Sequence, residues 1–130
     1  MILKRYFWTT LVTLAILVLS TMPIPEEAPL NDVPLIDKWV HMLMYAGLVL
    51  IFWLDHVVRN RKAINWRHYL FIFLYATLLG GLMELVQAYL TTCRSGDWID
   101  FEADAIGAII GIGLSILANK IWAEKISVQK

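Results

Sequence analysis

The chain has 130 residues, of which 59% are apolar and only 17% charged, with a mean hydropathy of +0.64. Soluble domains carry about 25% charged residues, so an ordinary soluble enzyme, a disordered chain and a basic nucleic-acid binder are excluded. Eleven basic residues balance eleven acidic ones, and the single cysteine, Cys93, rules out a disulfide framework or a cysteine-based zinc site.

Charges cut the chain into four apolar runs. Twenty residues between Arg5 and Glu26 carry none. Lys4 and Arg5 before this run look like the start of a signal peptide. No Ala-x-Ala site follows Ser20-Thr21-Met22-Pro23, so the run reads as a retained span. Sixteen residues separate Lys38 from Asp55, Glu84 is the sole carboxylate between His68 and Cys93, and fifteen residues separate Asp104 from Lys120. A bilayer core about 30 Å thick needs about 20 helical residues at about 1.5 Å each. The first and third runs meet that length alone. The second and fourth cross only by drawing flanking polar turns into the membrane. The expectation is an all-α membrane protein with one domain over residues 1–130 and four transmembrane helices in a bundle, at about 6–24, 37–54, 68–90 and 101–122.

Loop charges set the direction. With the N-terminus in the cytoplasm, nine of the eleven basic residues (Lys4, Arg5, Arg59, Arg61, Lys62, Arg67, Lys120, Lys125 and Lys130) fall inside. Only Lys38 and Arg94 fall outside, with nine of the acids. Lys/Arg bias governs topology, so both termini are expected to be cytoplasmic. All six tryptophans fall at predicted span ends, where indoles anchor in the interface. All four prolines (Pro23, Pro25, Pro29 and Pro34) fall in the first outer loop, where water satisfies an extended backbone.

The polar residues within these spans gather at one level. Asp37, Lys38, His41 and Tyr45 share one stripe at the outer end of the second helix. Gly80, Glu84 and Gln87 share a face of the third, and Arg94, Ser95, Asp97 and Asp100 follow in the last outer loop. Asp104, Gly107 and Gly111 lie on one face of the fourth helix, and Gly107-x-x-x-Gly111 is a surface that lets a neighbouring backbone come close. An ionisable residue inside a span costs about 2.5–3.5 kcal/mol and normally faces the bundle interior with a partner. For Glu84 the candidates are Lys38, His41 and Arg94. Five acids (Asp37, Glu84, Asp97, Asp100 and Asp104) against Lys38 and Arg94 leave an excess of negative charge. Protonation, a metal ion or a cationic ligand group would each restore the balance.

These residues carry a resemblance. Asp37-Lys38-x-x-His41-x-x-x-Tyr45, then Glu84-x-x-Gln87, then Arg94-Ser95-x-Asp97-x-x-Asp100-x-x-x-Asp104-x-x-Gly107-x-x-x-Gly111 resembles the VanZ-like family of small bacterial membrane proteins. The resemblance covers roughly residues 35–115. Members often have Asn where Asp104 stands, and Pro-Gly where Thr92-Cys93 precedes Arg94. The resemblance implies a multi-pass protein of the bacterial cytoplasmic membrane with an envelope role. The family's founding member is associated with resistance to the glycopeptide teicoplanin.

Three readings of the polar set follow. It binds a lipid-linked or amphiphilic envelope molecule at the outer leaflet, with Arg94 on a phosphate or carboxylate and Tyr45 and Trp98 at the rim. It is a clamp, with Lys38–Glu84 and Arg94–Asp100 pairs holding three helices in register. Or it is a membrane-embedded enzyme acting on a lipid headgroup, with Asp37–His41 as orienter and base and Glu84 as acid. No serine elbow, metalloprotease motif or Gly-rich phosphate loop accompanies the set, so no catalytic residue and no cofactor are assigned. No metal is assigned either. If one bound, a hard cation on oxygens would fit better than zinc, because His41 is the only histidine at that level. Partners are the bilayer and its amphiphiles, without nucleic acid. His56 and His68 read as solvated residues of the basic inner loop.

Overall fold

Pro23 sets where the first long helix stops. A residue before proline is pushed out of the α region, and Met22 is extended at ψ 143°, closing a helix that began at Phe7. In the computed structural model of the chain, which describes residues 2–23, 32–60, 62 and 64–128, all regular structure is helical. A short turn α1 (Ile2–Arg5) precedes α2 (Phe7–Thr21), α3 (Ile36–Asn60), α4 (Trp66–Leu90) and α5 (Trp98–Val128). Pro25, Pro29, Glu26, Glu27, Arg61 and Lys130 lie outside the described residues.

The helix lengths follow the expectation for the last three runs and fall short of it for the first. Helices α3, α4 and α5 are long and apolar enough to cross a membrane, whereas α2 has 15 residues. At about 1.5 Å per residue α2 reaches about 22 Å. Proline shortens the first run at its C-terminal end. The second and fourth helices lengthen because Asp55 and His56 continue the one and the Trp98–Glu102 segment begins the other, with Asp55, His56 and Asp100 finding partners in the bundle. Trp53 consequently sits seven residues inside α3 rather than at its end.

Contacts fix the directions of the four long helices. Thr13 meets Tyr75 and Ser20 meets Gln87, so α2 and α4 run parallel. His41 meets Asp104 while the backbones of Met42 and Ala46 lie against Gly107 and Gly111, so α3 and α5 run parallel. Gly80 faces Asp104 and Glu84 faces Asp97, so α4 opposes α5. The result is an up-down-up-down bundle with α3 and α5 as its closest pair.

Its polarity is inverted relative to a soluble protein. Leu43, Leu78, Tyr89, Leu90 and Trp98 are among many large apolar side chains turned outward, while His41, Asp55, Glu84, Gln87, Asp100, Asp104 and Ser115 are buried. Soluble monomers rarely expose contiguous apolar patches beyond a few hundred Å². The chain is built for a lipid environment.

The end opposite the predicted site is tied by contacts that sequence spacing does not reveal. Asp55, one residue beyond the expected end of the second span, is buried and accepts hydrogen bonds from the Thr9 backbone N–H and Thr9 Oγ1, both at 2.8 Å. A carboxylate at the start of α2 also opposes the helix dipole favourably. His56, expected to be solvated, is buried, with its Nδ1 3.1 Å from the Tyr6 hydroxyl and its ring against His68. His68 is half-buried and its Nδ1 lies 2.6 Å from the side chain of Asn65, the N-cap of α4. Asn119 on α5 makes a reciprocal pair with the Ile64 backbone at 3.0 and 3.1 Å.

Candidate functional site

The opposite end gathers the polar residues of three elements. On α3, Lys38, His41 and Tyr45 occupy one stripe facing α5, as their i, i+3, i+7 spacing requires. Left-handed Leu35, with φ 57°, turns the chain into this helix just before Asp37. His41 lies five residues into α3, Asp104 six into α5, and Glu84 six before the end of α4, so all three sit about 8–9 Å below the helix ends.

Lys38 is the hub of an upper layer. Its Nζ lies 2.7 Å from Asp37, 2.9 Å from Asp97 and 2.5 Å from Asp100. Asp37 and Asp97 are partly open to solvent, and Asp100 is buried. The Lys38 ammonium holds the Asp97 carboxyl below the usual carboxylate range. Asp97 also accepts from the Ile99 backbone at 2.9 Å, capping the start of α5.

A lower layer lies beneath it. His41 Nδ1 is 2.8 Å from Asp104 Oδ1, and His41 Nε2 is 3.9 Å from Asp100 Oδ2. Glu84 Oε2 accepts the Asp97 backbone N–H at 2.6 Å. That bond depends on Gly96, where a Cβ would strike the Glu84 carbonyl and Ala88. Asp104 Oδ2, Glu84 Oε1 and the Tyr45 hydroxyl are buried without a hydrogen-bond partner. Among the described residues no lysine or arginine pairs with Glu84 or Asp104.

The pairings thus differ from those expected. Lys38 goes to Asp100 instead of Glu84, and Glu84 takes a backbone donor. Arg94 joins no ion pair among the described residues, and its Nη1 is 3.5 Å from the Leu19 carbonyl at the end of α2. Gln87 turns away from the acids and donates to the Ser20 carbonyl at 2.8 Å. Tyr45 is buried in the apolar core rather than at a rim, whereas Trp98 is exposed. Ser95 is exposed in the loop. For Glu84 and Arg94 the cause is shared. The loop between α4 and α5 folds back so that Asp97 N–H, not a side chain, faces Glu84, and this aims Arg94 at α2.

Gly107 and Gly111 place α5 directly on the α3 backbone. A Cβ on Gly111 would come 2.7 Å from the Ala46 carbonyl oxygen, and one on Gly107 would overlap the Met42 backbone. Gly80 performs the same service for the acid layer, since a Cβ there would come 2.7 Å from Asp104 Oδ2. Beside the lower layer, a cavity of about 120 Å³ opens between α4 and the loop that leads into α5. Glu84, Gly96 and Asp97 line its inner side, and the exposed Leu85, Tyr89 and Trp98 its outer lip.

No protein-family model matches the chain, and no solved structure matches it. An uncharacterized protein of Schizosaccharomyces pombe is 33% identical over 104 residues, covering 79% of this chain and 60% of that protein. The chain therefore spans about three fifths of the length of the relative it matches. That relative is eukaryotic, and its description gives no activity.

Proposed function

We propose that this chain is a VanZ-like membrane protein that crosses the bilayer four times, keeps both termini in the cytoplasm, and binds the polar end of a lipid-linked or amphiphilic molecule at the outer leaflet. The observation that carries the reading is the cavity between α4 and the loop that leads into α5, which runs from an exposed apolar lip to the buried Glu84. A volume of about 120 Å³ admits a small headgroup, while hydrocarbon lies along Leu85, Tyr89 and Trp98. An orphaned, buried carboxylate oxygen is costly unless something completes it, by about 1–3 kcal/mol or more for a charged group, and Glu84 Oε1 is such an atom. A cationic group of the ligand, or a cation accompanying it, fits that requirement. α2, with its 15 residues, crosses in this reading where the bilayer thins locally to match it.

Two measurements test it. Mass spectrometry of purified protein is expected to find a retained amphiphile that Glu84→Gln loses, with abundance unchanged, because glutamine still accepts from Asp97 N–H. Parallel loss of ligand and abundance would mean that the cluster is a clamp. For topology, Cys93 is exposed and is the sole thiol, so a membrane-impermeant maleimide is expected to label it in intact cells or spheroplasts. Labelling only after permeabilisation would reverse the orientation.

A further inference from the structure

The lower layer has a donor set without a matching proton inventory. One donor atom each from His41, Glu84 and Asp104 lies within 4.8 Å of the others, and all three residues are buried. They come from α3, α4 and α5, so the set exists only in the folded bundle. The His41–Asp104 contact uses one oxygen of Asp104 and leaves Oδ2 without a partner, as Asp97 N–H does for Glu84 Oε1. The Tyr45 hydroxyl, nine-tenths or more buried, also has no hydrogen-bond partner and lies within electrostatic reach of both carboxylates. Buried polar groups are nearly always satisfied. Three unsatisfied atoms converging on two acids point to a missing cation rather than to a finished hydrogen-bond network. Lys38 does not supply it, because its ammonium is engaged above by Asp37, Asp97 and Asp100.

We propose that His41, Glu84 and Asp104 hold a divalent first-row metal ion, Mn2+ in preference to Zn2+, with Glu84 as the one ligand that borders the cavity. One imidazole and two carboxylates form a mixed set that suits borderline first-row ions. The His41 Nδ1–Asp104 Oδ1 separation of 2.8 Å is close to that of neighbouring ligands on one ion. Ligands about 2.1 Å from an ion are at most about 4.2 Å apart, so donor atoms that lie within 4.8 Å of one another must draw together slightly to share an ion. Three protein ligands leave a coordination position free, and the cavity reaches Glu84 from the lipid side. The free position would take a phosphate or carboxylate oxygen of the amphiphile. In this respect the inference rests on the headgroup reading above, but the ion site itself stands on the three side chains.

The test uses the full chain, stripped with EDTA and titrated separately with Mn2+ (free ion followed by electron paramagnetic resonance) and Zn2+ (competition with a chromophoric chelator). One ion per chain is expected, with a melting temperature that rises on metal addition. Glu84→Gln and Asp104→Asn are each expected to weaken binding by about tenfold or more, while Glu102→Gln, exposed and outside the cluster, retains it. Helical circular dichroism and elution position certify that each variant is folded, and Glu84→Gln alone decides the matter if Asp104→Asn does not fold. Folded wild-type protein that binds neither ion at millimolar metal, or a Glu84→Gln protein with unchanged affinity, overturns the proposal. Retained amphiphile measured on the same preparations separates the two readings. Amphiphile without metal overturns only the ion, and metal without amphiphile supports the ion while removing the headgroup reading.

Discussion

Gly107→Val is expected to abolish most of the folded protein, and Gly107→Ala to destabilise it measurably, while Gly113→Ala is nearly silent. A Cβ at 107 meets the Met42 carbonyl oxygen, Cα and carbonyl carbon, all backbone atoms of α3 that no rotamer change can move. Helix α5 must therefore lift off α3, and with it goes the neighbouring contact of Gly111 with Ala46. Overpacking of this kind costs about 1–3 kcal/mol for added methyl groups, occasionally more, and valine adds two beyond the Cβ. At Gly113 a Cβ meets nothing within 4 Å. Gly113→Ala should stay within about 0.5 kcal/mol of wild type, as surface substitutions do. Unfolding in detergent followed by circular dichroism measures all three. Equal stability of Gly107→Ala and Gly113→Ala would mean that α3 and α5 do not touch through their backbones. The comparison also reaches the site, because separating these helices separates His41 from Asp104.

Lys38→Met is expected to have the second largest effect. The methionine keeps the apolar stem and removes the ammonium, leaving Asp100 buried without its 2.5 Å partner. Breaking one side of a buried ion pair costs about 3–5 kcal/mol because the remaining charge is uncompensated. Asp37 and Asp97 are partly solvent-exposed, so water takes over much of what Lys38 gave them. The cost is thus expected to fall on Asp100, and Lys38→Met/Asp100→Asn should recover most of it. A double-mutant cycle in detergent-solubilised protein measures the coupling. A single-variant loss under about 1 kcal/mol would place the pair in the range of solvent-exposed ion pairs. Loss of the pair also frees the start of α5, where Asp97 caps the helix and presents its N–H to Glu84.

Much of the site was legible because helical spacing is a one-dimensional rule. Lys38, His41 and Tyr45 fall on one stripe whatever the neighbours are, and the same holds for Asp104, Gly107 and Gly111. Depth was legible too, since the rise per residue turns sequence distance into height. Partners were not. Whether Lys38 reaches Glu84 or Asp100 depends on how far each helix is rotated about its axis, and a rotation of one residue is about 100°. Gly96 gave a local signal, a glycine between Ser95 and Asp97, but its meaning depended on α4 lying beneath the loop. His56 was misplaced for a related reason. Next to Arg59 and Lys62 it read as part of a solvated basic loop, yet α3 runs on to Asn60 and turns it toward Tyr6 at the start of α2.

The sequence by itself determined the class of molecule, because a bilayer constrains a chain along one axis. Long uncharged runs, basic residues clustered between alternate pairs of runs, and polar side chains at helical spacing are all properties of order along the chain. Only the tertiary structure decided which acids share a cation, which carbonyls Gln87 and Arg94 approach, and which carboxylate oxygens are left without a partner. Those outcomes depend on helix rotation and on backbone approach at Gly80, Gly96 and Gly107. Distances of a few ångströms between residues dozens of positions apart have no counterpart in local order.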